Sequence, residues 1–239
     1  MTPPAPAGAG PPARVAVVVG GGGPPAIGRH DLGDLGADPL VVAADSGLEH
    51  ARAFGLAVGH VVGDMDSVDA DVLAAAERAG VTIERHPVAK DATDLELALD
   101  LATAGAPARL VVVTGAGDRF DHALAVVLAI SAPGRAPVPT EAFVGPARLW
   151  VVRDEVALPG RPGDLLSLVP VHGPVRGVRT AGLRYPLDDE DLAPGTTRGV
   201  SNMWVDAIAT VRVRSGVLVA VAPGLPGPAT GPGATLPSG

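Results

Sequence analysis

Short β-branched runs alternate with longer Ala/Leu-rich stretches from Arg14 to about Ile130, and this alternation is the strongest constraint on the fold. It is typical of repeated βα units built around a parallel sheet. We predict strands over Val15–Val19, Leu40–Ala44, Val58–Val62, Val81–Arg85 and Leu110–Thr114. We predict helices over Gly47–Phe54, Asp69–Ala79, Thr93–Ala104 and Asp121–Ile130. Three of these helices stop at residues that favour a left-handed C′ position: Gly55, Gly80 and Gly105.

The pattern changes at the Pro/Gly-rich segment 131–137, which cannot continue a helix or a central strand because proline lacks an N–H donor and fixes φ. Beyond it the apolar residues alternate with a period of two, which predicts a small antiparallel β-sandwich. Its strands are predicted near Arg148–Val152, Leu165–Val169, Ala209–Val213 and Val217–Val221. The last two flank Ser215-Gly216, so we predict that they form a β-hairpin.

The predicted fold class is therefore α/β, with a Rossmann-like parallel-sheet N-terminal domain followed by an antiparallel β-sandwich C-terminal domain. We place the first domain at 14–132, a linker at 133–138 and the sandwich at 139–222. The Pro/Gly-rich composition of residues 1–13 and 223–239 predicts that both ends are disordered.

The composition excludes several classes of function. The chain has 18 Lys+Arg against 26 Asp+Glu, a formal charge of -8, which disfavours electrostatic capture of nucleic acid. No cysteine is present, so thiolate metal sites and cysteine nucleophiles are excluded. No basic n-region with an apolar h-region begins the chain, and no apolar run is long enough to span a membrane. We expect a cytoplasmic enzyme with no membrane association.

Acidic and polar residues follow four of the predicted strands, where ligands of an open α/β sheet gather. That many carboxylates at one edge repel one another unless they share a cation, and hard oxygen ligands suit Mg²⁺. A bound metal at this edge indicates a polyphosphate substrate, whose oxygens a lysine or arginine would also hold. The residues concerned are Asp45, Ser46 and Gly47 after the second strand, Asp64 and Asp66 after the third, Lys90, Thr93 and Asp94 after the fourth, and Arg119 and Asp121 after the fifth.

Each of these residues also has a purely structural interpretation. An Asp-x-Asp pair is often a solvated turn, and Thr93 with Asp94 has the chemistry of a helix start. Arg119 is typical of a surface, and Asp121 of a first helical turn. The coincidence of four such groups at one sheet edge favours the functional interpretation.

The glycine-rich run after the first strand fits neither the dinucleotide-binding pattern nor the Walker A pattern. Gly20-Gly21-Gly22-Gly23 follows a strand, but Pro24-Pro25 comes next, where a dinucleotide site needs a helix N-terminus with free N–H groups. Arg29-His30 stands where a Walker A loop needs Lys and Ser or Thr. We interpret these glycines as a tight turn near the nucleotide.

The spaced motifs together resemble the thiamine pyrophosphokinases, also called thiamine diphosphokinases, over residues 14–222. The motifs that carry the resemblance are Ala44-Asp45-Ser46-Gly47, Gly63-Asp64-Met65-Asp66-Ser67, Asp91-Ala92-Thr93-Asp94-Leu95-Glu96, Arg119-Phe120-Asp121-His122, the segment 177–187 and Gly199-Val200-Ser201-Asn202.

The resemblance implies a homodimer that binds thiamine between subunits and transfers the β,γ-diphosphate of ATP to the thiamine hydroxyl, releasing AMP. By position it implies that Asp64, Asp66 and Asp94 hold Mg²⁺. The same resemblance implies that Asp121 orients Arg119 or takes the hydroxyl proton, and that Ser201 and Asn202 contact the aminopyrimidine of thiamine. The groups that it places around the ATP phosphates are Asp45, Ser46, Gly47, Lys90, Thr93 and Arg119.

The chain departs from the family pattern at two positions. Asp118 stands where the family often has Gly, which adds charge beside Arg119, and Met203 stands where relatives frequently have Glu. Trp204 follows, and we expect it in the sandwich core rather than stacked on a substrate.

Three alternatives remain open. The ATP and Mg²⁺ features equally fit a diphosphokinase that acts on a pterin alcohol. An apolar strand ending in Asp64-x-Asp66 also fits a nucleotide-sugar transferase, although the acidic groups at neighbouring strand ends argue against it. The third alternative is a non-catalytic nucleotide sensor.

Overall fold

The computed structural model describes residues 14–87, 91–115, 119–135 and 137–224. The predictions for Lys90, for Asp118 and for residues 1–13 lie outside these ranges, as does the prediction for the C-terminal end from residue 225 onward. The N-terminal half forms a parallel sheet of six strands in the order β4-β3-β2-β1-β5-β6. Their bounds are β1 Val15–Val19, β2 Leu40–Ala44, β3 His60–Gly63, β4 Thr82–Arg85, β5 Arg109–Thr114 and β6 Thr140–Val144.

Helices cover both faces of this sheet: α1 Gly47–Ala53, α2 Ala70–Arg78, α3 Asp94–Ala104 and α4 Phe120–Ser131. Ala16 and Val18 of β1 pack in one apolar cluster with residues of α3 and α4, whereas Val17 and Val19 pack in another with Ala51 of α1. Alternate residues of a buried strand thus serve opposite layers, as in doubly wound α/β folds. The predicted α/β architecture is confirmed.

Local capping accounts for the starts of α2 and α3 and for the ends of α1 and α2. The side chain of Asp69 accepts hydrogen bonds from the backbone N–H groups of Asp71 and Val72 and so begins α2. Gly55 and Gly80 take the left-handed conformation, with φ values of 67° and 83°. The same prediction for Gly105 is wrong: its φ is -84°, and Ala106 turns the chain with a φ of 46°.

The C-terminal half is antiparallel and is organised around the 17-residue strand β9. The strands β7, β13 and the first part of β9 form one layer, while β8, β12 and the last part of β9 form the other. Their bounds are β7 Ala147–Val152, β8 Glu155–Pro159, β9 Leu165–Ala181, β10 Asp188–Leu192, β11 Asn202–Met203, β12 Ile208–Arg212 and β13 Ser215–Ala222.

The predicted hairpin at Ser215-Gly216 is wrong. β12 pairs with β8 and with residues 179–181 of β9, whereas β13 pairs with β7 and with residues 167–176 of β9. The two strands therefore leave the turn for different layers. Short-range turn chemistry favoured the hairpin, but pairing with distant strands decides the register.

The sandwich core lies between these two layers. Trp150 of β7 and Trp204 pack edge to face with ring centroids 6.4 Å apart, and Trp204 is 2% exposed. The indole Nε1 of Trp204 donates a hydrogen bond to the Leu158 carbonyl at 3.0 Å. The expectation that Trp204 is a core residue is confirmed, because its ring and its one polar group are both buried and satisfied.

One sheet runs through both halves of the molecule. β6 pairs in parallel with β5 and antiparallel with β7, which continues into the sandwich. The predicted linker lies between the end of α4 at Ser131 and the start of β6 at Thr140, and the sheet does not break there. No helix in the described part of the chain has the length and apolarity that crossing a membrane requires.

Candidate active site

The carboxyl ends of the parallel strands pack so closely that only glycine fits at key positions. A Cβ on Gly47, the first residue of α1, would collide with the backbone carbonyl of Val19 at the end of β1. A Cβ on Gly63, at the end of β3, would collide with the carboxylate of Asp45. The turn after β1 belongs to the same edge, since a Cβ on Gly21 would lie 2.6 Å from the Ser46 hydroxyl oxygen. These glycines therefore let the strand ends and the turns that follow them pack closely against one another.

Three carboxylates meet at this edge. Asp45 follows β2 with a φ of 47°, an unusual conformation for a residue with a side chain, and its Oδ1 accepts a 3.3 Å hydrogen bond from the Met65 N–H. The pKa of Asp45 is raised to about 6, first by burial and then by the charge of Asp94, a hydrogen bond with the Asp94 carboxyl and the charge of Asp64. The ends of β2 and β3 and the start of α3 thus supply the acidic centre that the sequence predicted.

In the Asp64-Met65-Asp66 turn the apolar side chain is buried and the two acidic side chains are not. Met65 is buried in the apolar cluster beneath the sheet, with a φ of 66°. The Asp66 N–H donates a 3.0 Å hydrogen bond to Oδ1 of Asp64, and Asp66 itself is exposed. Within the ranges that the structure describes, no three acidic or histidine side chains form a ready-made metal cage. Mg²⁺ does not require one, because it binds through one or two carboxylates together with substrate phosphates and water.

Thr93 begins α3 through a capping box. Its hydroxyl accepts from the Glu96 N–H at 3.2 Å, while Oε2 of Glu96 accepts from both the backbone N–H and the hydroxyl of Thr93 at 3.0 Å. The structural interpretation of Thr93 as an N-cap is therefore confirmed. The capping box fixes the start of α3 and with it Asp94, the first residue of the helix.

Arg119 and Asp121 form a bidentate ion pair at the start of α4. The Arg119 Nε lies 3.2 Å from Oδ1 of Asp121, and one terminal guanidinium nitrogen lies 2.6 Å from Oδ2. The hydrogen bond from Arg119 holds the pKa of Asp121 below its usual value. Such a carboxylate is a poor proton acceptor near neutral pH but a good orienting partner for the guanidinium.

Ser201 and Asn202 lie on the sandwich and have different surroundings. Ser201 is exposed, has a φ of 57°, and donates its backbone N–H to the Ser167 hydroxyl at 3.1 Å. Asn202 is only 1% exposed: its Oδ1 accepts from the N–H groups of Tyr185 and Met203, and its Nδ2 donates to the Tyr185 carbonyl at 2.7 Å. The amide of Asn202 is thus committed to the backbone of a neighbouring loop.

Tyr185 is a candidate binding residue that the sequence analysis did not single out. It is 50% exposed and lines a cavity of about 380 Å³. It is the only tyrosine in the chain and lies within the 177–187 segment, which was the available signal. The other residues that line the cavity are Thr196, Thr197, Arg198, Gly199, Val200 and Asn202.

Comparison with known proteins places the whole folded chain in one family. Residues 35–136 match the family model described as "Thiamin pyrophosphokinase, catalytic domain", and residues 154–218 match "Thiamin pyrophosphokinase, vitamin B1 binding domain". A thiamine pyrophosphokinase from Bacillus subtilis is 22% identical over 208 residues, covering 84% of this chain and 94% of that protein.

Solved structures agree on the fold. The crystal structure of thiamine pyrophosphokinase from Bacillus subtilis superposes with a TM-score of 0.75 at 22% identity, covering 87% of this chain and 98% of the other. That of Geobacillus thermodenitrificans thiamin pyrophosphokinase gives a TM-score of 0.69 at 25% identity, covering 87% and 96%. Since the two family models together match well over half of the residues, the chain belongs to the thiamin pyrophosphokinase family.

Proposed function

We propose that the chain carries out the thiamine diphosphokinase reaction, in which the β,γ-diphosphate of ATP passes to the thiamine hydroxyl and AMP leaves. The observation that carries this proposal is the meeting of Asp45, Asp64 and Asp94 at the carboxyl edge of the parallel sheet. Phosphoryl-type transfer depends mainly on positioning and charge neutralisation, which such an edge provides. A pterin alcohol as acceptor and a nucleotide-sugar transfer are not favoured, because residues 154–218 match a vitamin B1 binding domain.

Mg²⁺ fits the acidic centre by its chemistry. The pKa of Asp45 is raised first by burial and then by the charges of Asp94 and Asp64, and a bound divalent cation would offset the repulsion among these carboxylates. We assign Asp64, Asp66 and Asp94 as the residues that would hold it. The ion would neutralise charge on the phosphate oxygens when bound.

The nucleotide phosphates would lie along the glycine-lined strand ends. Ser46 offers a hydroxyl there, and Gly47, Lys90 and Thr93 are further proposed contacts. Arg119, held by Asp121, is exposed and presents a fixed guanidinium to phosphate oxygens. We assign Asp121 the role of orienting Arg119, because the ion pair lowers its pKa.

On the acceptor side we divide the predicted roles of Ser201 and Asn202. Ser201 is exposed, so its hydroxyl is free to meet the aminopyrimidine edge as donor or acceptor. Asn202 acts through Tyr185, because its side-chain amide hydrogen-bonds both the N–H and the carbonyl of that residue. These bonds fix Tyr185 so that its phenol ring lines the cavity as a stacking surface.

We also propose a cytoplasmic homodimer. Phe120, Leu124 and Leu128 are spaced four residues apart along α4 and are 78%, 46% and 40% exposed, so they form an apolar stripe on the outer side of the helix. A second copy covering this stripe would remove it from water. The cytoplasm supplies the ATP that the reaction needs.

The test of the proposed function is product analysis by mass spectrometry. Purified protein with ATP, Mg²⁺ and thiamine is expected to form thiamine diphosphate and AMP in equal amounts, and a pterin alcohol in place of thiamine is expected to give no AMP. Formation of ADP with thiamine monophosphate, or AMP only with the pterin alcohol, would contradict the proposal.

A further inference from the structure

The C-terminal end of α4 is joined to the sandwich by a side-chain hydrogen bond. Ser131, the last residue of the helix, is fully buried, and its hydroxyl donates to the Val127 carbonyl at 2.6 Å. The Nε2 atom of His172 lies 3.0 Å from the same hydroxyl oxygen. Because the hydroxyl hydrogen is committed to Val127, Ser131 accepts this second bond from the imidazole N–H. His172 belongs to β9 of the sandwich.

A second side chain from the sandwich half holds the same helix end. Arg153, directly after β7, donates from one terminal guanidinium nitrogen to the carbonyls of Ser131 at 3.0 Å and Ala132 at 2.9 Å. The last carbonyls of a helix carry partial negative charge, so a cation there is stabilising. Burial, and secondarily the charge of Arg135, lowers the pKa of Arg153. We call His172 and Arg153 the α4 clamp.

The backbone of β9 is distorted in a way that presents His172 to the helix. Val171 pairs with Val217 and Arg176 pairs with Ser215, so residues 172–175 bulge opposite Gly216 alone. Within this bulge His172 has a φ of 59°, a conformation that few residues with side chains adopt. Bulges redirect side chains near functional sites, and strained conformations persist where the surroundings enforce them.

The clamp joins the two elements that lead to the two substrate sites. α4 begins with the Arg119–Asp121 ion pair at the nucleotide edge. β9 also carries Ser167, whose hydroxyl accepts the Ser201 N–H on the acceptor side. We infer that His172 and Arg153 are positioning residues, which fix α4 against β9 and so set the orientation of the nucleotide edge relative to the acceptor surface in each chain of the proposed homodimer. This inference rests on the proposed function.

The experiment compares two ways of loosening the same helix end. His172→Ala removes the link to the sandwich, whereas Arg135→Ala removes bonds to Ala129 and to Asp100 of α3, both within the α/β half. We expect His172→Ala to lower kcat for AMP formation about tenfold, because small misplacements of reacting groups are costly. Dissociation constants for ATP and thiamine, measured separately by calorimetry, are expected to stay within about twofold. Arg135→Ala is expected to keep the wild-type kcat.

Two further variants make the result decisive. His172→Gln restores an N–H donor and is expected to recover most of kcat. If His172→Ala does not fold, Ser131→Ala removes the same bond from the helix side and is expected to show the same loss. Provided that the wild type turns over, two results would overturn the inference. One is an unchanged kcat in His172→Ala or, if that variant does not fold, in Ser131→Ala; the other is an equal loss of kcat in Arg135→Ala. A wild-type protein without turnover would instead overturn the proposed function.

Discussion

At the scale of single residues, Asp45 combines two energetically unfavourable features at the candidate site. Its φ of 47° and its pKa of about 6 are both unfavourable departures for an aspartate, and both arise where the strand ends crowd carboxylates together. Functional sites commonly hold such unfavourable arrangements, which the rest of the fold must offset. The strand-end rule placed Asp45 at this edge from the sequence, but its raised pKa depends on burial and on Asp94 and Asp64, which are distant in sequence.

Asp45→Asn is therefore expected to stabilise the metal-free protein. In the folded chain the pKa of Asp45 is about 6, whereas the usual pKa of an aspartate is 3.8. Keeping this proton therefore stabilises the folded wild type fully below pH 4, and that stabilisation is lost as the pH rises through 6. Asn avoids the ionisation and tolerates the left-handed conformation. Allowing for partial exposure, we expect about 1 kcal/mol more unfolding free energy at pH 7 in the variant. Chemical denaturation at pH 4 and pH 7 measures this, and equal wild-type and variant profiles would refute it.

At the scale of elements, local rules predicted the α/β half well and the sandwich half less well. β1 and β2 begin and end where predicted, and the four helices agree within one residue at each end. Their apolar periods and caps are local signals. The hairpin at Ser215-Gly216 failed because β12 and β13 each pair with residues far away in sequence. The role of Asn202 was hidden for the same reason, since its partner Tyr185 lies 17 residues earlier.

The different roles proposed for Ser201 and Asn202 can be tested by replacing each residue with alanine. Asn202→Ala leaves the N–H and carbonyl of Tyr185 without their side-chain partner, so we expect a loss of about 1–3 kcal/mol of stability. The exposed neighbour Ser201→Ala is the matched control, with unfolding free energy nearly unchanged and a thiamine KM raised about tenfold. Thermal unfolding and steady-state kinetics distinguish the two variants, and equal destabilisation by both would contradict the assignment.

At the scale of the whole molecule, one sheet runs through both halves of the described chain. The sequence predicted two domains with a linker at 133–138, because the Pro/Gly-rich segment and the change of period are visible locally. It did not predict that β6 and β7 continue the parallel sheet into the sandwich, since strand pairing across the change of period leaves no local signal. The grouping of carboxylates at one edge was predicted from their positions directly after successive parallel strands. The clamp between α4 and β9 needed the three-dimensional structure, because Ser131 and His172 are 41 residues apart.

The central claim is that the carboxylates at the strand ends carry out diphosphate transfer. Its most direct test is the rate of AMP formation from ATP and thiamine in the wild type, in Asp64→Asn and in Asp71→Asn, which makes the same change at an exposed position of α2. We predict a loss of at least about 100-fold for Asp64→Asn, of the size seen when a transition-state contact is removed, with no loss for Asp71→Asn. Near-wild-type AMP formation by a folded Asp64→Asn protein would contradict the account.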